Sequence, residues 1–191
     1  MVATLIQRAV LRATLSLPAP VLQMLSGGGP DRRGASELEP RFQFLTHAAK
    51  RYPSITSYPP KVGRRVAAKG VAVVAGRGEA GVRFKTFNID APHGPMRARV
   101  YRPKALDANT PVLVYFHGGG GVVGDLSTSH ALCTILAKVA RCSVLAVDYR
   151  LAPEHPYPAA VDDALFATRW ARDNAERFGA CLLYTSPSPR D

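Results

Sequence analysis

The chain is poor in cysteine: Cys133, Cys142 and Cys181 are odd in number and show no paired spacing. That excludes a disulfide scaffold and argues against a zinc site; Cys133 and Cys142, in apolar surroundings, are expected to pack as small hydrophobes. No apolar run reaches membrane-spanning length. At the N-terminus Arg8 and Arg12 interrupt the hydrophobic stretch, and Pro18 and Pro20 break it. Leu5, Ile6, Ala9, Val10 and Ala13 recur instead at helical spacing, which predicts an amphipathic helix lying on the body of the protein. With reduced cysteines and no membrane span, a cytoplasmic location is expected. Acidic residues are scarce, 14 against 25 basic ones, for a net charge of +11. The basic residues are scattered, Arg64-Arg65 is a pair and no tract, and no aromatics interleave with a basic stripe, so no nucleic-acid partner is expected. Repeats, heptads and disordered-type composition are also missing. What remains is a chain with 47% hydrophobic residues, long enough for one domain with a sizeable core.

Residues 1–70 read as helices and loops, with helices near 3–15, 19–26 and 37–51. From Val82 the pattern alternates with a period near two through Ile89, turns at Ala91–Pro95, and alternates again over Met96–Tyr101, as a hairpin does. Pro111–Phe116 is a continuous apolar run, expected to be a strand buried on both faces. A helix follows near 127–140, capped by Ser127 or Thr128, with Leu132, Ile135, Leu136 and Val139 on one side. Ser143–Val147 predicts a second buried strand. Pro158 opens a helix expected to reach Phe178, with Ala164, Ala167, Ala171 and Ala175 as a small-residue stripe for close packing on a sheet. Strand, helix, strand and helix with short links define an α/β protein with a parallel βαβ unit.

His117-Gly118-Gly119-Gly120-Gly121-Val122-Val123-Gly124-Asp125 lies between a strand and a helix, where glycines let backbone N–H groups point into a cavity. Two jobs fit. Gly119-x-Gly121-x-x-Gly124 satisfies the dinucleotide-binding pattern, and Asp148 stands where a ribose-binding acid would. That match is weak, because four consecutive glycines satisfy many patterns and Asp125 puts a carboxylate where a pyrophosphate needs positive potential. The phosphate-cradling G-x-x-x-x-G-K-[ST] is absent. The second job is an oxyanion hole, since H-G-G-G after a sheet strand is a lipase/esterase motif whose N–H groups hold a tetrahedral intermediate.

HGGG with the trailing Gly124-Asp125, followed by Asp148-Tyr149-Arg150-Leu151-Ala152-Pro153-Glu154-His155-Pro156-Tyr157-Pro158-Ala159-Ala160, resembles the hormone-sensitive-lipase-like esterases of the α/β-hydrolase fold-3 type. The match is clear over 111–179 and extends loosely to most of the chain. It implies the α/β-hydrolase fold, a mostly parallel sheet with flanking helices, with a cap-like helical segment at 1–70 and the N-terminal part of the hydrolase domain at 71–180. It implies a hydrolase of small-molecule esters with short acyl groups that works through a Ser-His-Asp triad and needs no metal or cofactor. Gly119 and Gly120 map onto the oxyanion donors, with His117 and Gly118 supporting the loop. The position after HGGG, often aromatic in such enzymes, is Gly121, which bears on substrate size.

No G-x-S-x-G occurs in the sequence, and Ser127 and Ser129 begin a helix with no such elbow. By the family's chain order all three triad members lie beyond Ala180. The chain is therefore expected to be an N-terminal fragment, inactive as written. The elbow strand would pair beside 111–116, leaving that strand an open edge without it. Residues 181–191, CLLYTSPSPRD, do not continue as a buried strand and resemble a translated adapter end from transposase-based sequencing libraries, so they are expected to be an artefact; a short natural tail is the alternative. A non-catalytic hydrolase-like binding module stays open beside the esterase and the NAD-binding domain, and the sequence assigns no oligomeric state. Asp148, Arg150 and Glu154 are expected either as a buried ion-pair network beside the loop or as a solvated turn. His117 is expected to orient the loop, and His155 to be structural. Asp162 and Asp163 are expected as dipole-favoured first-turn residues, and Tyr149, Tyr157 and Trp170 as core.

Overall fold

A computed structural model describes residues 2–33, 36–106 and 110–178. The tail 181–191 lies outside the described residues. The chain divides into two compact units, 1–74 and 75–191, and the boundary expected at residue 70 falls inside a helix.

The first unit holds α1 (Val2–Leu15), α2 (Ala19–Leu25), a two-residue ladder of β1 (Arg32–Arg33) with β2 (Ser36–Glu37), α3 (Pro40–Ala49), a 3-10 turn at Ile55–Ser57 and α4 (Pro60–Val74). Helix α3 starts at Pro40 and not near 37, because Ser36–Glu37 is held in the ladder and the Glu39 carboxylate takes the N–H groups of Arg41 and Phe42. Helix α4 was not predicted. Gly63, Gly70 and the Arg64-Arg65 pair blur its period, although Pro60 in its first turn marks its start. The apolar stripe of α1 is not buried within its own unit: Leu5, Ile6 and Val10 are 42%, 59% and 61% exposed. Arg8 donates to the Ala72 carbonyl of α4. At 100° per residue that contact turns Ile6 and Val10, each two residues away, to the far side.

The second unit is a four-stranded sheet of β3 (Val82–Ala91), β4 (Gly94–Pro103), β5 (Val112–Phe116) and β6 (Ser143–Val147) in the order β3-β4-β6-β5. The predicted hairpin is β3–β4, paired antiparallel from Val82↔Pro103 to Ala91↔Gly94. Strand β6 runs antiparallel to β4 and parallel to β5, from Val112↔Ser143 to Phe116↔Val147. Helix α6 (Ala159–Asp173) covers a core with Ile89, Met96, Ala98, Leu145 and Val147, and α5 (His130–Val139) covers another with Tyr101, Leu126, Cys142, Val144 and Ala146. Each aliphatic side chain fully withdrawn from water contributes about 1.5–3 kcal/mol. Strand β6 is buried at all five positions, as predicted.

Strand β5 is not buried on both faces. It is the outermost strand among the described residues, and Leu113 and Phe116 are 40% and 36% exposed. Helix α5 is rotated from expectation: Cys133 and Ala137 pack into the sheet core, Leu136 alone of the expected stripe lies partly buried against it, and Leu132, Ile135 and Val139 are exposed. Its small side chains meet the sheet over the bulky Tyr101, so close approach decides the rotation. Helix α6 ends at Asp173, followed by a 3-10 turn at Ala175–Phe178. Its buried stripe is Ala159, Asp163, Ala167 and Ala171, with Ala175 buried beyond its end and Ala164 only half-buried. Cys133 and Cys142 are buried free thiols.

Candidate functional site

Strand β5 delivers its chain into the glycine loop between its C-terminal end and the entry to α5. His117 is buried, and Gly119, Gly120, Gly121 and Gly124 have φ of 133°, 62°, 70° and 105°. Glycine is required at two of them by contact as well as by φ: a Cβ at Gly119 would enter the Val123 carbonyl, and one at Gly124 would enter the His117 ring and the Gly118 carbonyl. The carbonyl of Gly119 accepts the N–H groups of both Val122 and Val123 at 3.1 Å. Among the described residues no backbone acceptor takes the N–H of Gly119 or Gly120.

The stretch after β6 holds this loop from the side. The Tyr149 hydroxyl donates to the His117 carbonyl at 2.6 Å, and its ring stacks on the His117 imidazole at 4.3 Å and 17°. The Ala152 N–H donates to the Gly121 carbonyl at 2.8 Å. The Asp148 carboxylate accepts the Leu126 N–H at 2.8 Å and lies 3.5 Å from the Arg97 guanidinium. Burial pushes the Asp148 carboxyl up from its ordinary value, against the Leu126 N–H and the Arg97 charge. Beneath the turn sits Asp163, whose side chain is 2% exposed. It accepts the Arg150 N–H at 2.8 Å, Arg150 Nε at 3.1 and 3.0 Å and Arg150 Nη2 at 2.8 Å. His93 Nδ1 is 3.2 Å from the same carboxylate. Burial pushes the Asp163 carboxyl up, but the Arg150 hydrogen bonds and the His93 charge outweigh it and hold it below its ordinary value.

The expected network of Asp148, Arg150 and Glu154 is therefore rearranged. Arg150 pairs with Asp163, Asp148 turns to Leu126 and Arg97, and Glu154 is exposed. The α6 stripe explains this: Asp163 stands four residues from both Ala159 and Ala167 and is carried inward, where a buried carboxylate requires a matched cation. The four-residue spacing of Asp163 from Ala159 and Ala167 carries this in the sequence, and a helix-dipole role for Asp163 does not account for its burial. Tyr149 is half-buried and bonded to the loop, Tyr157 is 87% exposed and not core, and Trp170 packs beside Phe87 and Phe178. His155 is exposed in the turn, with its N–H on the Leu151 carbonyl.

Asp125 answers the dinucleotide reading. Its carboxylate takes the N–H groups of Ser127 and Thr128 at 2.8 and 2.7 Å, while the Thr128 hydroxyl accepts the Asp125 N–H at 2.9 Å. With Leu126 on Asp148, the helix-entry donors that would cradle a pyrophosphate are held by the chain's own acids. Asp125 closes the turn before α5; the helix itself starts at His130 with Ser129 at its N-cap and no side-chain cap hydrogen bond, so neither Ser127 nor Thr128 caps it. Among the described residues no group of three or more metal-ligating side chains is found, and no helix is long and apolar enough to cross a membrane.

The sheet order, the two covering helices and the glycine loop at the end of a parallel strand agree with what the chain matches. Residues 113–183 fit the model of a family described as alpha/beta hydrolase fold. The chain is 36% identical over 167 residues to the carboxylic ester hydrolase LipN of Mycobacterium tuberculosis, covering 86% of this chain and 44% of LipN. It is 51% identical over 103 residues to the esterase LipI of the same organism, covering 53% of this chain and 32% of LipI. Among solved structures, the hyperthermophilic esterase of Pyrobaculum calidifontis superposes with a TM-score of 0.66 at 37% identity, over 73% of this chain and 44% of the other. The chain thus spans less than half the length of these relatives.

Proposed function

We propose that this chain belongs to a carboxylic-ester hydrolase acting on small acyl esters, and that its glycine loop supplies the oxyanion donors. The observation that carries the reading is that, among the described residues, no backbone acceptor takes the N–H of Gly119 or Gly120, on a loop whose Gly119 and Gly124 have no room for a Cβ. In the reaction a nucleophile attacks the ester carbonyl, negative charge gathers on its oxygen, and fixed donors in a low-dielectric site stabilise that charge. His117 and Gly118 support the loop, and Tyr149, Ala152 and Asp148 fix it from the side. The names of LipN, LipI and the P. calidifontis enzyme support the same chemistry. The sequence 1–191 holds no G-x-S-x-G. In this reading these residues bring the oxyanion donors and not the triad, and alone they are inactive.

The test is hydrolysis of p-nitrophenyl acetate and butyrate by the gene product containing this chain, beside residues 1–191 alone. Turnover by the former that an organophosphate abolishes, with none by the latter, is expected. No turnover with NAD binding by calorimetry would replace the reading with the dinucleotide one. Turnover by residues 1–191 alone would overturn the division of labour.

A further inference from the structure

We propose that Asp163 is the positioning residue of the glycine loop: it fixes, through Arg150, the turn whose Tyr149 and Ala152 hold the loop at both ends. The inference rests on the ester-hydrolase reading for its kinetic part only. Asp163 lies on α6, remote in sequence from the loop, and contacts none of its glycines in the hydrogen bonds described. Its carboxylate takes three donor groups from Arg150, one of them the backbone N–H, so it fixes main chain as well as side chain. Arg150 Nη2 also reaches the Ala159 carbonyl at 3.3 Å, tying the guanidinium to the first turn of α6.

The residue before Arg150 is Tyr149, whose hydroxyl holds the His117 carbonyl at the start of the loop. Two residues after it, the Ala152 N–H holds the Gly121 carbonyl beyond the two donor glycines. The donors Gly119 and Gly120 are thus suspended between two hydrogen bonds from one short turn, and Asp163 is that turn's anchor. His93, at the β3–β4 turn, braces the same carboxylate from the sheet side. A planar, bidentate ion pair with two further backbone contacts sets orientation as well as attraction, which a lysine or an amide does not reproduce.

The experiment compares Asp163→Asn, Asp163→Glu and Arg150→Lys with wild type in the gene product containing this chain. Three readouts are taken: kcat and KM on p-nitrophenyl butyrate, backbone amide resonances of Gly119, Gly120 and Gly121, and hydrogen exchange at Ala152. Misplacing a reacting group by about 1 Å costs on the order of 100-fold. Asp163→Asn and Arg150→Lys are therefore expected to lower kcat by roughly 10- to 100-fold with KM within about threefold, shift the three glycine resonances and speed Ala152 exchange. Asp163→Glu, which keeps the charge, is expected to recover part of kcat. Folded variants with unshifted glycine resonances and wild-type kcat overturn the proposal and reduce the pair to fold stability. Should Asp163→Asn fail to fold, Arg150→Lys decides alone by the same readouts. Shifted resonances and faster exchange in a protein that never hydrolyses esters uphold the positioning and overturn the esterase reading.

Discussion

Gly119→Ala measures how rigidly the loop is built. A Cβ there would enter the carbonyl of Val123, whose N–H already donates to the Gly119 carbonyl at 3.1 Å. The obstacle is main chain, so no rotamer relieves it and the loop itself must move. The φ of 133° adds its own cost, since that region is essentially reserved for glycine and holding another residue in it takes about 1–3 kcal/mol. Displacing one oxyanion donor lowers kcat by about 100- to 1000-fold, or ~2.7–4 kcal/mol of transition-state stabilisation. Gly121→Ala is the comparison. Its φ of 70° is the ordinary left-handed helical value and its new Cβ meets nothing within 4 Å, so the cost is the backbone's alone, about 1–2 kcal/mol. Denaturant unfolding and turnover of p-nitrophenyl butyrate are measured for both variants in the gene product containing this chain. Gly119→Ala is expected to lose at least about 100-fold in kcat and more stability than Gly121→Ala. Equal losses in both, or a Gly119→Ala enzyme that turns over like wild type, would refute the argument that the Val123 carbonyl sets the loop.

Tyr149→Phe removes the 2.6 Å hydrogen bond to the His117 carbonyl while keeping the stacked ring. A loss of roughly 0.5–1.5 kcal/mol in unfolding free energy is expected, and an unchanged urea midpoint would count against the clamp. Burial pushes the Cys133 thiol up to about 11, and Cys142 is raised by the same cause. Both should stay unlabelled by a thiol reagent at pH 8 until urea is added, as read by mass spectrometry. Because the Cys133 pKa is raised from its unfolded value of 9.0, the associated stability is complete below pH 9.0 and lost as pH climbs towards 11. For Asp163 the sign is opposite. Its lowered pKa gives stability present above 3.8 and lost as pH falls below that value, so Asp163→Asn should flatten the acid limb of Tm against pH; superimposable limbs would refute this. Residues 1–191 alone are expected to self-associate through the open side of β5, with Leu113→Lys reducing it. Sedimentation showing a monomer that unfolds cooperatively would dismiss the idea.

The α/β class, the hairpin, both parallel strands and their helices were readable because each carries its own period or an unbroken apolar run with punctuation beside it. Which way a helix faces was not. In α5 the larger residues, Leu132, Ile135, Leu136 and Val139, define the sequence's apolar side, yet only Leu136 of them reaches the sheet core, beside the smaller Cys133 and Ala137. Hydrophobicity ranks residues by size, while close packing against Tyr101 selects for the absence of it. Helix α1 also turns its larger apolar residues to solvent, with Arg8 on the side that meets α4. In the candidate site, the H-G-G-G loop and Tyr149-Arg150 stood out as motifs. Asp163 did not, because a carboxylate near a helix start has an adequate local explanation. Its real partner is fixed by a turn that no local pattern describes.

Strand β6 lies between two strands that both precede it in the chain. The β3–β4 hairpin closes locally as soon as it is made, but among the described residues β5 has no partner until Val147 has been synthesised. At ribosomal rates the gap between Phe116 and Val147 lasts roughly two to six seconds, during which Leu113, Val114 and Phe116 wait unpaired. Sheet growth in this unit is therefore an insertion and not an extension, and the interval before β6 arrives is when a chaperone or a neighbouring nascent chain would find β5 first.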